Sequence, residues 1–297
     1  MGTITGNELI ARTANQLQDL DHTRWSMAEL LNYINDAQRD IVMRKPDAYT
    51  KSESTVLTIS ECKQSLPSGA IMLLDISRNL GTDGATLGRA ITRIERPIID
   101  QQWPDWQTDT GDAEVLHYMY DEKDPLNFYV YPPQPAASPG YVELIYSGIP
   151  DPLIKTWSPS TLIASFLTES SLYQVLPMIN NDHLYRAGGT PTGSTGTSEP
   201  TWPTSDGGTV VDGDITWTET TFDVPDAITL KDTFATIIVD YMIAFSLFKD
   251  ANISAVAGQK GMSHYQAYLA ALGTKTMAEN VYDPNVPSAA KLSIRGT

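Results

Sequence analysis

Apolar residues recur at helical spacing near both ends of the chain. Between residues 26 and 45 they stand three or four positions apart, at Met27, Leu30, Leu31, Ile34, Ala37 and Ile41, which predicts an amphipathic helix. Ser26 and Glu29 predict a capping box at its start, and Pro46 predicts its end. The same spacing predicts helices at 5–20, 230–250 and 254–272, the last one ending at Gly273.

The middle of the chain has a different period. Between residues 53 and 149, short apolar or alternating runs are separated by Gly, Pro, Asp and Asn, as in "STVLTIS", "AIMLLDISRNL", "EVLHYMYD", "NFYVYPPQP" and "YVELIYSGIP". Such runs are typical of strands. The sequence therefore predicts an α+β fold, in which two helices from each end form a four-helix body and a β-rich middle at 53–149 lies between them.

Residues 154–222 fit neither pattern. They are rich in Gly, Ser, Thr and Pro, and they end in the alternating run "TVVDGDITWTET" with a turn signal at Asp212 and Gly213. This predicts an inserted small all-β module. A flexible loop is the alternative, but Tyr185, Trp202 and Trp217 are anchors that disordered segments usually lack.

The insert divides the predicted domains. The core comprises 1–153 and 223–273, and 274–297 form an extended C-terminal arm, because Pro284 and Pro287 interrupt any helical period there. The arm also contains more spaced apolar side chains than a tail that contacts only solvent would need.

The charge and cysteine content limit the classes of ligand and site that the protein can have. The chain of 297 residues carries 20 Lys and Arg against 36 Asp and Glu, a formal net charge of -16, which disfavours nucleic acid as a tightly held ligand. Cys62 is the single cysteine, so an internal disulfide framework and a cysteine-rich zinc site are excluded. The start of the sequence does not resemble a signal peptide, and the most apolar run is too short and polar to span a bilayer. These features predict a soluble protein made in the cytoplasm.

No motif predicts catalysis, a cofactor or a metal. His22, His117, His183 and His264 fall in four separate elements without a nucleophile motif nearby. The acidic pairs Asp121 with Asp124 and Asp212 with Asp214 lie in turn-like sequence, where carboxylates commonly accept hydrogen bonds from backbone amides. Cell-wall hydrolysis by such a pair stays a third, minor hypothesis. The aromatic residues Trp103, Trp106, Phe128, Tyr129 and Tyr131 are interpreted as core, with an interface role as the alternative.

The order of several segments is more informative than any one of them. "RWSMAELLNYINDAQRDIVMRKPDA", "SLPSGAIMLLDISRNLG", "GRAITRIERPIIDQQWPDW", "VLHYMYDEKDPLNFYVYPP" and "VELIYSGIP" are followed at the end by "DYMIAFSLFKDA" and "HYQAYLAALG". This series closely resembles the head-to-tail adaptor (connector) proteins of short-tailed bacteriophages. It covers most of the chain outside the insert, and none of its motifs is catalytic.

The resemblance implies a non-enzymatic virion protein at the head-tail junction, made in the host bacterial cytoplasm. It would dock under the portal after DNA packaging as an oligomeric ring of about twelve subunits and join the head to the tail nozzle protein. DNA would pass through its channel without specific binding, and no membrane would be involved.

The resemblance also suggests contact residues. The arm resembles the start of the arm in related adaptors at "YDPN", so its docking side chains on the portal would be Met277, Val281, Tyr282, Pro284, Asn285, Leu292 and Ile294. On the polar side of the helix at 26–45, Asp36, Arg39, Asp40 and Arg44 are candidate subunit contacts, with a solvated face as the alternative.

The insert resembles a different group of proteins from the adaptors. "WSPST", "LYRA", "TSEPTWP" and "TVVDGDITW" resemble small β modules of phage tail and decoration proteins and, distantly, chitin-binding modules. The alternative function is therefore a glycan-binding tail component that stacks sugars on Tyr185, Trp202 and Trp217. We favour the interpretation that these aromatics are the core of a small module.

Overall fold

A computed structural model of the protein describes residues 2–167, 172–189 and 191–282. The predicted α+β fold is confirmed, because helices and sheets both occupy large parts of these residues. The helices are α1 Gly6–Leu17, α2 Met27–Arg44, α3 Arg96–Gln102, α4 Ala235–Lys249 and α5 Ala255–Tyr282. None of the helices in the described part of the chain has the length and apolar character that a membrane span needs.

The described strands form three sheets. Their bounds are β1 Thr50–Val56, β2 Lys63–Ser65, β3 Ala70–Asn79, β4 Thr92–Arg93, β5 His117–Tyr120, β6 Asn127–Tyr131, β7 Tyr141–Gly148, β8 Lys155–Thr156, β9 Gln174–Leu176, β10 Leu184–Ala187, β11 Thr209–Asp212 and β12 Ile215–Thr220. The strand orders are β1-β7-β3, β2-β6-β5-β4 and β11-β12-β10-β9-β8. Most neighbouring strands are antiparallel, and β4 with β5 and β8 with β9 are parallel.

The chain divides into two compact units. The terminal unit combines the described residues up to Ile41 with those from Pro150 onward, and it holds the four helices of the two chain ends together with the β8–β12 sheet. Helix α4 is its central element, because side chains around most of its circumference are buried. Helices α1 and α2 each bury one apolar side. Helix α4 buries apolar side chains around nearly its whole circumference, as expected for a helix in the centre of a unit.

The middle unit spans Val42–Ile149 and contains the other two sheets and α3. Its main core lies between alternate residues of β3, β5, β6 and β7, including Leu73, Tyr118, Val130 and Leu144. A smaller cluster gathers Cys62, Ile99, Trp106 and Met119. The β-rich middle predicted from period-two runs is confirmed.

Three predicted helix boundaries are wrong. Helix α5 does not end at Gly273 but continues to Tyr282, because the next turn still packs: Lys275 Nζ donates to Thr233 Oγ1 at 3.0 Å and lies over the Phe234 ring. Helix α4 begins at Ala235 instead of 230, after a short 3-10 turn, and α1 ends at Leu17, where Gln18 adopts a left-handed conformation.

Helix α3 is a further correction. The sequence predicts short strands throughout 53–149, but in the run "GRAITRIERPIID" only Thr92–Arg93 is extended and Arg96–Gln102 is helical. Pro97 lies in the first turn, where its fixed φ suits a helix and its missing amide hydrogen costs nothing.

Candidate functional site

Two of the four predicted subunit contacts, Asp36 and Arg39, are exposed charged side chains on the outward side of α2. Arg39 Nη1 lies 3.8 Å from Asp36 Oδ1, and about half of each side chain is exposed. A pair of this length in water contributes only about 0.3 kcal/mol to stability. Both side chains can therefore exchange this partner for one on another chain at little cost.

Asp40 has a different role. Its carboxylate accepts a hydrogen bond from the Tyr268 hydroxyl of α5, so it fastens α5 to α2 within one chain. Arg44 is exposed at the end of α2 and also interacts within the chain. Of the four predicted contacts, the structure thus engages Asp40 inside the protomer and leaves Asp36 and Arg39 on the surface.

Polar contacts join the start of α2 to the end of α4. Trp25 Nε1 donates to the Ser246 carbonyl at 2.9 Å, and Lys249 Nζ donates to Glu29 Oε2 at 2.6 Å. Glu29 also accepts from the Tyr33 hydroxyl at 2.8 Å, and burial together with this bond raises the pKa of Tyr33. Ser26 is the predicted N-cap, and its Oγ accepts a hydrogen bond from the Glu29 amide at 3.4 Å. The Glu29 carboxylate accepts hydrogen bonds from Lys249 and Tyr33. These contacts hold together helices from opposite ends of the chain.

The predicted portal-docking arm is only partly described. Met277, Val281 and Tyr282 lie on α5, so the arm is not extended from 274 onward. Met277 is exposed. Pro284, Asn285, Leu292 and Ile294 lie outside the described residues. Their docking role remains a prediction.

Asp212 organises the core of the β8–β12 sheet. Its side chain is buried, and its Oδ2 accepts hydrogen bonds from Trp157 Nε1 at 2.7 Å and from Trp217 Nε1 at 3.1 Å. Its Oδ1 accepts from the Gly196 amide at 2.8 Å. One carboxylate therefore connects two indoles and a loop, which explains how a segment rich in Gly, Ser and Thr folds. The sequence suggests Asp212 as a turn residue and as one member of an acidic pair, but not as an acceptor for two indoles.

The three aromatics proposed for glycan stacking pack on one another. Tyr185 and Trp217 are fully buried, and the partly buried Trp202 lies between them, with ring centroids 4.3 Å from Tyr185 and 6.3 Å from Trp217. The Tyr185 hydroxyl donates to the Pro203 carbonyl at 2.8 Å. A sugar cannot reach the fully covered rings of Tyr185 and Trp217, which serve as the core of the module. Trp202 packs against both rings and keeps part of its own surface exposed.

Two of the four histidines pair with carboxylates. His183 Nδ1 lies 3.0 Å from Glu219 Oε1, and His264 Nδ1 lies 3.0 Å from Asp240 Oδ1. The bond from His183 lowers the pKa of Glu219. Burial raises the pKa of the Cys62 thiol to about 11, which keeps it protonated and unreactive at neutral pH.

The other acidic residues of the two pairs accept hydrogen bonds from nearby turns and loops. Asp121 Oδ1 accepts from the Lys123 amide at 2.9 Å, Asp124 accepts from Asn127 Nδ2 at 2.7 Å, and Asp214 Oδ2 accepts from the Ser194 amide at 3.2 Å. Among the described residues, no group of His, Cys, Asp and Glu is arranged to hold a metal ion. The arrangement suits a scaffold of packed helices and sheets.

A groove in the middle unit was not foreseen from the sequence. It has a volume of about 390 Å³, and its lining includes Arg93, Arg96, Lys123 and Tyr129, with three carboxylates that balance the cations. The Arg96 guanidinium lies 4.4 Å from the centre of the Tyr129 ring. The neighbouring sequence contains one exposed tryptophan, Trp103, whereas Trp106 is buried and donates to Asp100 Oδ1 at 2.8 Å. Exposed Trp and Arg side chains are frequent anchors of protein interfaces.

Comparison with known proteins supports a scaffold role. A family model described as "SU10 adaptor protein" matches residues 4–189, which is more than half of the chain. The matched range starts before α1, includes the whole middle unit and ends after β10. No curated protein matches the sequence.

Proposed function

Since this chain belongs to the SU10 adaptor protein family, whose members are structural proteins of the phage head-tail junction, we propose that it docks as an oligomeric ring under the portal after DNA packaging. There it would join the head to the tail nozzle and form part of the DNA channel. The family match carries this proposal. The resemblance to adaptors of short-tailed phages makes the virion of such a phage the proposed location.

The terminal unit supplies the proposed ring body. Its helices come from both ends of the chain and are held together by Trp25 with Ser246, Glu29 with Lys249, and Asp40 with Tyr268. A body fastened in this way can carry load between head and tail without depending on one continuous segment. Asp36 and Arg39 would exchange their weak internal pair for contacts with a neighbouring copy.

The C-terminal arm is the proposed portal anchor. Its docking side chains would be Met277, Val281, Tyr282, Pro284, Asn285, Leu292 and Ile294. The 15 residues beyond Tyr282 could reach about 50 Å when extended, at about 3.3 Å per residue, which is enough to leave the parent subunit. Ordering such an arm only on docking would delay attachment until the portal surface exists.

The acidity of the chain suits passage of DNA. A net charge of -16 per copy would make a channel wall that repels the duplex instead of holding it. Lysines introduced on the channel face should therefore slow genome release at low salt, and an unchanged rate would count against this part of the proposal.

Binding to the purified portal protein tests the anchor. Wild-type protein should co-elute with portal, and truncation after Tyr282 should abolish co-elution while leaving the far-UV circular dichroism of the soluble protein unchanged. The double variant Leu292→Asp with Ile294→Asp should weaken binding at least about tenfold, as expected when anchors of an interface are lost. Leu87→Asp, at an exposed position of the middle unit, is the matched control. Wild-type binding that survives truncation would show that the arm is not the anchor.

A further inference from the structure

The outward side of α5 is unusual for this acidic protein. We call it the α5 outer face, and its exposed side chains include Lys260, Met262, Gln266, Ala267, Leu269 and Ala270. They follow the helical repeat and lie on one side of the helix. Apart from Lys260, the face consists of apolar and uncharged polar groups.

The absence of acidic residues is the second observation. The chain contains 36 Asp and Glu residues, yet none occurs between Ala251 and Ala278. Helix α1 of the same unit shows the contrast, because its exposed side carries Glu8 and Arg12. The α5 outer face is therefore a long strip in the terminal unit that lacks the negative charge of the rest of the protein.

The opposite side of α5 is already covered by the chain itself. Tyr268 contacts Asp40, His264 lies 3.0 Å from Asp240, and a side chain at Gly261 would meet the Phe248 ring at 2.9 Å. The helix has 28 residues, about 42 Å at 1.5 Å per residue, whereas its partner α4 has 15. Burial by α4 thus explains the inner side of α5 and leaves the outer face unexplained.

We infer that the α5 outer face is a contact surface for a second copy of this chain, an inference that rests on the ring assembly proposed above. Copies with a net charge of -16 repel each other, and the repulsion is smallest where carboxylates are absent. Ala267, Ala270 and Gly273 let another backbone approach closely, and a side chain at Gly273 would meet no atom within 4 Å. Met262 and Leu269 flank this strip and supply the apolar area for burial. In a ring the contact is heterologous, so the face covers a different surface of the neighbour.

Photo-crosslinking identifies the occupant of this surface. A benzophenone amino acid replaces Gln266, at the centre of the face, and in a control protein it replaces Leu87, an exposed residue of the middle unit. Both proteins are irradiated with purified portal and, separately, alone at high concentration. We expect Gln266 to give adaptor–adaptor products and Leu87 to give at least about tenfold fewer of them, as a specific contact requires. Products that join Gln266 only to portal, or none in assembled rings, would overturn the inference.

Charge insertion gives an independent test. Met262→Asp with Leu269→Asp should reduce ring formation on portal at least about tenfold while one copy still binds through its arm. Val211→Asp, at an exposed position of β11, should leave rings intact. Rings formed normally by the double variant would overturn the inference and leave the proposed function standing. If wild-type protein ignores portal yet crosslinks to itself through Gln266, the proposed function fails and the contact surface remains.

Discussion

The Tyr268 hydroxyl of α5 donates a hydrogen bond to the Asp40 carboxylate of α2, across 228 positions of sequence. This contact joins the last described helix to the second one. It removes Asp40 from the set of residues that present charge outward, because its carboxylate is engaged inside the protomer. The chain thus uses one side of α2 to build the helical body and leaves Asp36 and Arg39 for other contacts.

Removing the hydroxyl should weaken the terminal unit. Tyr268→Phe is expected to lower the free energy of unfolding by about 1 kcal/mol, less than a fully buried bond to a charge because Asp40 is partly exposed. Urea denaturation measures the change. In a double-mutant cycle with Asp40→Asn, the second substitution should cost less in the Tyr268→Phe background, and strictly additive effects would argue against the bond.

Asp212 should be the most sensitive residue of the β8–β12 sheet. Asp212→Ala leaves Trp157 Nε1, Trp217 Nε1 and the Gly196 amide without their acceptor, a loss of at least about 3 kcal/mol. Asp212→Asn keeps an acceptor oxygen and should cost less. Tryptophan fluorescence during urea unfolding reports the difference. Asp206→Ala, at an exposed position, is the control, and equal effects of the two alanine variants would refute the role of Asp212.

Stability in acid should depend on Asp232. Its carboxylate accepts hydrogen bonds from Thr3 Oγ1 at 2.7 Å, the Thr3 amide at 2.6 Å and the Ile4 amide at 3.1 Å, which hold its pKa below the ordinary value of 3.8. The folded state therefore gains stability above about pH 3.8, and the gain is lost as the pH falls through the lowered pKa. Asp232→Asn should flatten the fall in stability below about pH 4.

Thermal melts across this pH range check the effect. Thr3→Ala removes the strongest donor but keeps the carboxylate, so its acid transition should move toward higher pH. An unchanged acid profile in both variants would show that Asp232 does not contribute.

The predicted inserted module, residues 154–222, should be removable. Leu153 and Val224 stand at its two ends, and both lie against the same position on α1, since a side chain at Gly6 would meet Val224 Cγ1 at 2.4 Å and Leu153 Cδ1 at 3.1 Å. We therefore expect that a short linker can replace residues 157–222 of the module without moving the helices. The shortened protein should be soluble and helical by circular dichroism. Repeated failure to obtain soluble protein with linkers of different lengths would contradict the modular division.

Local signals explain which elements could be predicted. The sequence predicts helix α2 at 26–45 and the helix spans Met27–Arg44, because Ser26 and Pro46 act on the backbone next to them. The end of α5 was missed because Gly273 is a common helix terminator in isolation. Its continuation depends on Lys275 reaching Thr233 and Phe234, residues that are distant in sequence.

Burial of individual aromatic residues could not be predicted. Trp103 and Trp106 belong to the same short run, yet only Trp106 is covered, because Tyr129 and Tyr131 of β6 pack edge-on against it. The small size of the module predicts that Tyr185 and Trp217 form its core. It does not predict the hydrogen bonds that Asp212 accepts from Trp157 and Trp217. A turn signal does not reveal that a carboxylate will meet two indoles.

Electron cryomicroscopy of purified portal mixed with the full-length protein tests the central claim most directly. We predict a closed ring of about twelve copies on the tail-facing end of the portal, with α1, α2, α4 and α5 in the ring body and the channel open along its axis. Portal particles that remain bare at saturating protein, or that bind scattered copies without a ring, would contradict it.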